Sequence, residues 1–271
     1  MMAPASSADP FKGLTFTSLN DDKLTTVVLL HGGFTCHLEF ALVIPGLSDY
    51  HLLLPDLPLH SASRHIAPGT TENAAKHVAQ GIDLCTRPWK HRRHVLCRHG
   101  HVIGLVARRA WLHFRLCPVQ CGVRKFMASW TTFTYYSMRI MLHWLPDSVY
   151  RYHTSSLGLK LNDEVVEAMR ANTTWEVVQD MFPWILAFRL EHVKDLRVRT
   201  LCIAGAMGDD VPMIEKTADA LRSRNWPNDG SGAVVIRKAT HGWDMQFPEL
   251  FAQGVSDWVN SRKLPAEFER L

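Results

Sequence analysis

The chain has 271 residues, of which 46% are hydrophobic and 21% charged, and its formal net charge is +4. These are ordinary values for a globular protein, and so small a charge excess does not by itself indicate a nucleic-acid partner. No apolar run approaches the length of a membrane span, and residues 1–10 lack the apolar segment of a signal peptide. The six cysteines form no CxxC pair. We therefore expect a cytoplasmic protein with reduced thiols.

Short apolar segments alternate with amphipathic segments along most of the chain. The β-branched run Thr25–Leu30 is typical of a buried parallel strand, and Thr71–Leu84 predicts a helix with Glu72 at its N-terminal end. This alternation predicts a doubly wound, mostly parallel α/β sheet. Further strands are predicted at His51–Leu54, near His94–Leu105, and at Arg199–Ala204 and Ala233–Arg237, and further helices at 38–47, Pro212–Ser223 and Pro248–Ser261.

Residues 130–190 differ in character from the rest of the chain. They are rich in tryptophan and tyrosine and show no strand pattern. Asn162 can cap a helix that runs through Met169, and Trp175–Phe188 predicts another. We interpret this segment as an inserted helical cap at 129–195, on a core formed by residues 1–128 and 196–271. Its aromatic side chains are expected to form the interior of the cap, with a ligand pocket as the alternative.

Four motifs occur in a fixed order along the chain: HGGF after the first buried strand, then DLPLHSAS, then GAMGDDVP and ATHGW after two later strands. In this order they resemble the α/β-hydrolase fold, and more narrowly the cofactor-free hydrolases of fungal metabolism. The resemblance implies His241 as a general base and Asp209 as the acid that orients it, with Asp210 as the alternative. It also implies an oxyanion site at the amides of Gly33 and Phe34. The sequence shows no phosphate loop, no dinucleotide fingerprint and no Cys/His pairs at metal-ligand spacing, so we predict neither a cofactor nor a metal.

The nucleophile of that family is missing from the sequence. Its elbow should read G-x-S-x-G on a strand-to-helix turn, yet no serine occurs between Ser63 and Ser129. If His94–Leu96 is the strand, Cys97, Arg98 and His99 occupy the turn. If His101–Leu105 is the strand, Val106 takes the place of the serine. Cys97 is a candidate nucleophile, because neighbouring cations favour a thiolate, although glycines do not flank it.

The same region has an unusual composition. Residues 92–124 are rich in Arg, His and Cys and contain no acid, and their helical periodicity is poor. An internal frameshift or a retained intron would produce such a segment. A basic nucleic-acid-binding module is a further alternative, but no recognisable module is present and we predict no nucleic-acid partner.

Three functions remain open from the sequence. The first is hydrolysis of an ester, thioester or lactone of a hydrophobic small molecule, with Cys97 or a water activated by His241 as the nucleophile. The second is a non-hydrolytic or catalytically impaired member of the same fold that binds a metabolite or catalyses a cyclisation. The third is the basic binding module. The resemblance also implies a role in fungal secondary metabolism.

Overall fold

A mixed sheet of eight strands forms the centre of the described structure. The computed structural model describes residues 13–86, 93–98, 102–106, 127–187, 190, 199–223 and 230–271. The strands stand in the order β1-β3-β2-β4-β5-β6-β7-β8. They are β1 (Phe16–Leu19), β2 (Thr25–Leu30), β3 (His51–Pro55), β4 (Arg93–Arg98), β5 (Val102–Val106), β6 (Thr200–Gly205), β7 (Gly232–Ile236) and β8 (Glu269–Arg270).

Helices cover both faces of this sheet, as the unbroken apolar character of β2, β3 and β6 predicts. The ring of Trp243 lies 4.9 Å from that of Phe251 and 5.7 Å from that of Phe268, which closes the largest apolar cluster. The helices are α1 (Thr71–Thr86), α2 (Met127–Arg139), α3 (Asp147–Ser156), α4 (Asp163–Asn172), α5 (Trp175–Ala187), α6 (Val211–Arg222), α7 (Trp243–Gln246) and α8 (Pro248–Val259). Short 3-10 turns lie at His37–Phe40, Ile44–Leu47 and Ser61–Ser63.

The predicted strands and helices agree with these bounds to within a few residues. The predicted helix at 38–47 is the exception, because two 3-10 turns replace it. None of the described helices is both long and apolar enough to cross a bilayer.

The strand region at 93–106 departs from both predicted registers. Both runs are strands: β4 pairs parallel with β2, and β5 pairs antiparallel with β4 and with β6. Cys97 and Arg98 therefore lie on β4 rather than in a turn after it, and Val106 ends β5. The sheet is accordingly more mixed than predicted, because an antiparallel strand stands between its two parallel parts. His99, His101 and residues 107–126 lie outside the described residues.

Residues 127–187 are helical throughout most of their length, with a π-helical turn at Ile140–Trp144 between α2 and α3. Asn162 caps α4, as predicted, by accepting a hydrogen bond from the amide of Val165 at 2.8 Å. At the other end of α4, the buried Asn172 donates to the carbonyl of Thr35 at 2.7 Å and accepts from the amide of Ser61 at 2.8 Å. The Asn172 side chain thus connects the helical segment to two loops of the sheet. The boundaries of a separate helical cap at 129–195 stay a prediction.

Candidate functional site

His241 and Asp209 form a hydrogen-bonded pair at the carboxyl edge of the sheet. The Nδ1 atom of His241 lies 2.7 Å from Oδ1 of Asp209. The Asp209 side chain is fully buried and its second oxygen accepts from the amide of Gly205 at 2.6 Å, whereas the His241 side chain is 54% exposed. A carboxylate fixed by a backbone amide holds the imidazole with Nδ1 protonated, which leaves Nε2 as the basic atom of the ring.

The loop after β6 and the loop after β7 touch through their backbones. A Cβ atom on Gly205 would lie 2.3 Å from the carbonyl oxygen of Thr240, and one on Gly208 would lie 3.1 Å from the amide nitrogen of His241. Glycine is required at position 205 because no side chain fits between these two loops. This close approach brings Asp209 and His241 together, although 32 residues separate them in the sequence.

The neighbouring carboxylate, Asp210, caps a helix and does not contact His241. Its Oδ1 accepts from the amide of Met213 at 3.1 Å and so caps α6. Of the two acids that the sequence left open, Asp209 is the one in contact with His241. Asp210 stabilises the start of a helix.

The HGGF turn is held by a buried glutamate. Glu39 accepts a hydrogen bond from the amide of Gly32 at 3.1 Å, and the single hydroxyl hydrogen of Thr35 is shared between Glu39 and the carbonyl of Gly32. Phe34 has the left-handed φ of +69°, a conformation that costs free energy for a residue with a side chain. The turn is therefore fixed in an unusual shape by its own polar network.

The two amides that the sequence predicts as oxyanion donors differ in this turn. The amide of Phe34 points at Nε2 of His60, 3.3 Å away. The amide of Gly33 has no hydrogen-bond partner among the described residues. Gly33 is consequently the better placed of the two donors for an anionic oxygen.

Two buried histidines support the turn in their neutral form. His31 accepts from the amide of Leu57 at 2.9 Å and places its Nδ1 atom 2.7 Å from the carbonyl of Gly32. Burial, together with the nearby His60, lowers the pKa of His31 to about 3. Burial likewise lowers the pKa of His60, whose Nδ1 lies 2.8 Å from the carbonyl of Pro58. Neutral rings suit these positions because each must both donate and accept.

The helical segment contacts the same turn. A Cβ atom on Gly33 would lie 2.7 Å from the sulfur of Met181, which belongs to α5. Met181 joins Phe34, Val177 and Val178 in an apolar cluster beside the turn. Helix α5 thus places apolar side chains over the predicted oxyanion donor, as a site for a hydrophobic ligand requires.

Cys97 has a position unlike that of an elbow nucleophile. It lies within β4, where it pairs with Leu29 of β2 and with Ile103 of β5. An elbow residue stands on a sharp turn between a strand and a helix, and the next described element after β4 is another strand. Cys97 therefore lies on a ladder between two strands, one residue before the end of β4.

Sequence reasoning missed three residues that shape this site: Glu39, Met181 and Asn172. Each is a single polar or apolar side chain with no motif of its own. Glu39 acts on the HGGF turn from a few residues away, whereas Met181 and Asn172 reach the turn or its neighbouring loop from distant helices. His60 lay inside a quoted motif, but its bond to the amide of Phe34 depends on how two loops meet.

The comparisons with known proteins agree on the fold. No known family model matches the chain. A protein of Gibberella zeae described as an AB hydrolase superfamily protein is 25% identical over 251 residues, which cover 90% of this chain and 83% of that protein. MenH from S. aureus has a TM-score of 0.64 at 14% identity, covering 93% of this chain and 99% of its own. An esterase from Exiguobacterium antarcticum has a TM-score of 0.61 at 12% identity, with 91% and 95% covered.

The chain is thus an α/β-hydrolase-fold protein, as its four sequence motifs predict. Within that class it is similar to proteins described as hydrolases and esterases; a thermophilic esterase from Thermogutta terrifontis is a further example, with a TM-score of 0.59 at 17% identity over 92% of this chain and 93% of that chain.

Proposed function

We propose that the protein hydrolyses an ester, thioester or lactone of a hydrophobic small molecule, with a water activated by His241 as the nucleophile. The 2.7 Å contact between His241 and the buried Asp209 carries this proposal. A histidine whose Nδ1 atom is held by a buried carboxylate, and whose side chain is 54% exposed, can act as a general base through Nε2.

The reaction requires four events at named atoms. Nε2 of His241 takes a proton from water while the oxygen of that water bonds to the carbonyl carbon of the substrate. The carbonyl oxygen becomes an oxyanion, for which the amide of Gly33 is the donor. The tetrahedral intermediate then breaks the bond to the leaving group, and the imidazolium returns the proton to the departing alcohol or thiol. Asp209 stabilises the imidazolium between these steps.

The apolar surroundings of the turn support this substrate class. Met181 is partly exposed beside Gly33 and packs against the buried Phe34 and Val178, so an apolar acyl or alcohol group gains from contact with it. A place in fungal secondary metabolism belongs to the same proposal, and the similarity to a Gibberella zeae protein supports its fungal origin.

A second candidate is binding or cyclisation of a metabolite without hydrolysis. The observation that favours it is the course of the chain after β4, where the next described element is the antiparallel strand β5 instead of a helix. With neither a serine in this region nor a described strand-to-helix turn, a covalent acyl intermediate has no evident attachment point.

Turnover of p-nitrophenyl esters separates these functions. Wild type, Cys97→Ala and His241→Ala are compared, each checked for native secondary structure by circular dichroism. Activity that survives Cys97→Ala and is lost in His241→Ala supports the water mechanism. Loss in both variants identifies Cys97 as the nucleophile and refutes that mechanism. An inert wild type, tested with esters of several chain lengths, refutes hydrolysis and favours the second candidate.

A further inference from the structure

A second group of reactive side chains lies outside the His241–Asp209 pair. Cys36, His37 and Asp56 each offer one donor atom, and the thiol sulfur, the imidazole nitrogen and the carboxylate oxygen all lie within 4.8 Å of one another. Cys36 and His37 follow the HGGF turn after one intervening residue, Thr35, whereas Asp56 follows β3. The fold brings the three donors together from two separate loops.

Existing hydrogen bonds fix two of these donors. The carboxylate of Asp56 accepts from the amide of His37 at 3.1 Å and from the amide of Ala62 at 3.2 Å, and it contacts Nδ1 of His37 at 2.9 Å. Burial opposes ionisation of Asp56, but the hydrogen bonds from His37 hold its pKa below the usual value. The site therefore holds a buried, ionised carboxylate whose position is set by the backbone.

We propose that Cys36, His37 and Asp56 bind a zinc ion as three protein ligands, with a water as the fourth. The donor set is one sulfur, one nitrogen and one oxygen, which suits tetrahedral Zn²⁺ and disfavours Mg²⁺ or Ca²⁺, because those ions prefer oxygen ligands. Cys36 and Asp56 are buried, while the His37 side chain is 29% exposed. The ion enters and keeps its water on the His37 side.

Metal binding is balanced by the loss of one proton. Zn²⁺ replaces the proton of the Cys36 thiol, which passes to solvent. When Nδ1 of His37 binds the ion it gives up its hydrogen bond to Asp56, and the proton of the neutral ring is then carried by Nε2. Without a metal the thiol stays protonated, since burial raises its pKa to about 11. The prediction of no metal rested on ligand spacing along the sequence, and Asp56 lies too far from Cys36 in sequence to give a spacing signal.

Cobalt substitution tests this site independently of any hydrolytic activity. The full-length protein is titrated with Co²⁺ and the thiolate-to-metal absorption and the visible bands of tetrahedral cobalt are recorded, after which Zn²⁺ is added to displace it. We expect saturable uptake with one thiolate ligand. Cys36→Ser should abolish the thiolate band. His37→Gln should weaken the affinity for Co²⁺ by more than about 100-fold, which is more than the loss of a residue that only hydrogen-bonds to a metal ligand would cause.

Matched controls distinguish this site from the other thiols and imidazoles of the chain. Cys85→Ser and His153→Gln should leave the spectrum and the affinity unchanged. Wild-type protein without a thiolate band overturns the proposal, as does a band that persists in Cys36→Ser and disappears in Cys117→Ser. His37→Gln alters a side chain that is 29% exposed, so it serves as the deciding variant if Asp56→Asn or Cys36→Ser fails to fold.

Discussion

A Cβ atom on Gly205 would lie 2.3 Å from the carbonyl oxygen of Thr240, so two loops of the sheet meet there without any side chain between them. The same glycine donates its amide to Asp209, and Thr240 immediately precedes His241. A single backbone contact thus positions both members of the proposed acid–base pair.

Substitution at this contact should damage stability and geometry together. Gly205→Ala forces the new Cβ atom against the backbone of Thr240 and Ala239, and we expect a loss of about 1–3 kcal/mol in the free energy of unfolding. Gly232→Ala is the matched control, because a Cβ there meets nothing closer than 3.9 Å. Urea denaturation of both variants measures the difference. Equal stabilities would show that the two loops separate at little cost.

The two adjacent carboxylates should respond differently to removal of their charge. Asp209→Asn removes the partner of His241, and we expect ester turnover to fall by at least about 100-fold with little change in stability. Asp210→Ala removes the cap of α6, and we expect turnover to persist while stability falls by about 0.5–2 kcal/mol. Kinetics and thermal melts on both variants check this. The assignment of Asp209 fails if Asp210→Ala is the variant that loses activity.

The buried histidines make stability depend on pH. The pKa of His31 is about 3 in the folded protein and near 6.5 when exposed, so its neutral form stabilises the fold above pH 6.5 and this contribution is lost as pH falls toward 3. Between pH 6.5 and 5 we expect a loss of about 2 kcal/mol from this one group. His60, with its lowered pKa, adds to the loss in the same direction.

Denaturant unfolding of the wild type at pH 7, 6 and 5 measures this slope. The exposed His153 provides the control, because His153→Gln should leave the slope unchanged. A free energy of unfolding that stays level over this range would contradict the buried, neutral state of these rings.

The amide of Asn172 joins α4 to two loops and should be costly to remove. Asn172→Ala leaves the carbonyl of Thr35 and the amide of Ser61 without their partner in a buried position, for which we expect about 1–3 kcal/mol of destabilisation. Asn162→Ala, at the opposite end of the same helix, removes only a cap and should cost about 1 kcal/mol. Equal losses in the free energy of unfolding for Asn172→Ala and Asn162→Ala would count against the role of Asn172 as a link between α4 and the two loops.

Much of the fold was predictable because its signals are local. Buried parallel strands are unbroken apolar runs, so Thr25–Leu30 was predicted with the bounds of β2. The antiparallel direction of β5 was not predictable. It depends on pairing with two other strands, and an apolar run in the sequence does not indicate whether its strand is parallel or antiparallel to its neighbours. Catalytic roles for His241, Asp209, Gly33, Phe34 and Cys97 stay predictions. The contacts around them, such as that of His60 with the amide of Phe34, depend on loops distant in sequence.

Strand β5 also has a mechanical consequence. In the sheet order it alone joins the half that carries the HGGF turn to the half that carries Asp209 and His241, and it pairs with β6 through just three positions, Val102 to Gly104. A register slip of two residues there keeps every side chain on its own face of the sheet. It would nevertheless translate one half against the other by roughly 7 Å. Within the sheet, the relative position of the two halves therefore rests on three rungs of one ladder, and the apolar cluster that contains side chains of both halves supplies the remaining constraint.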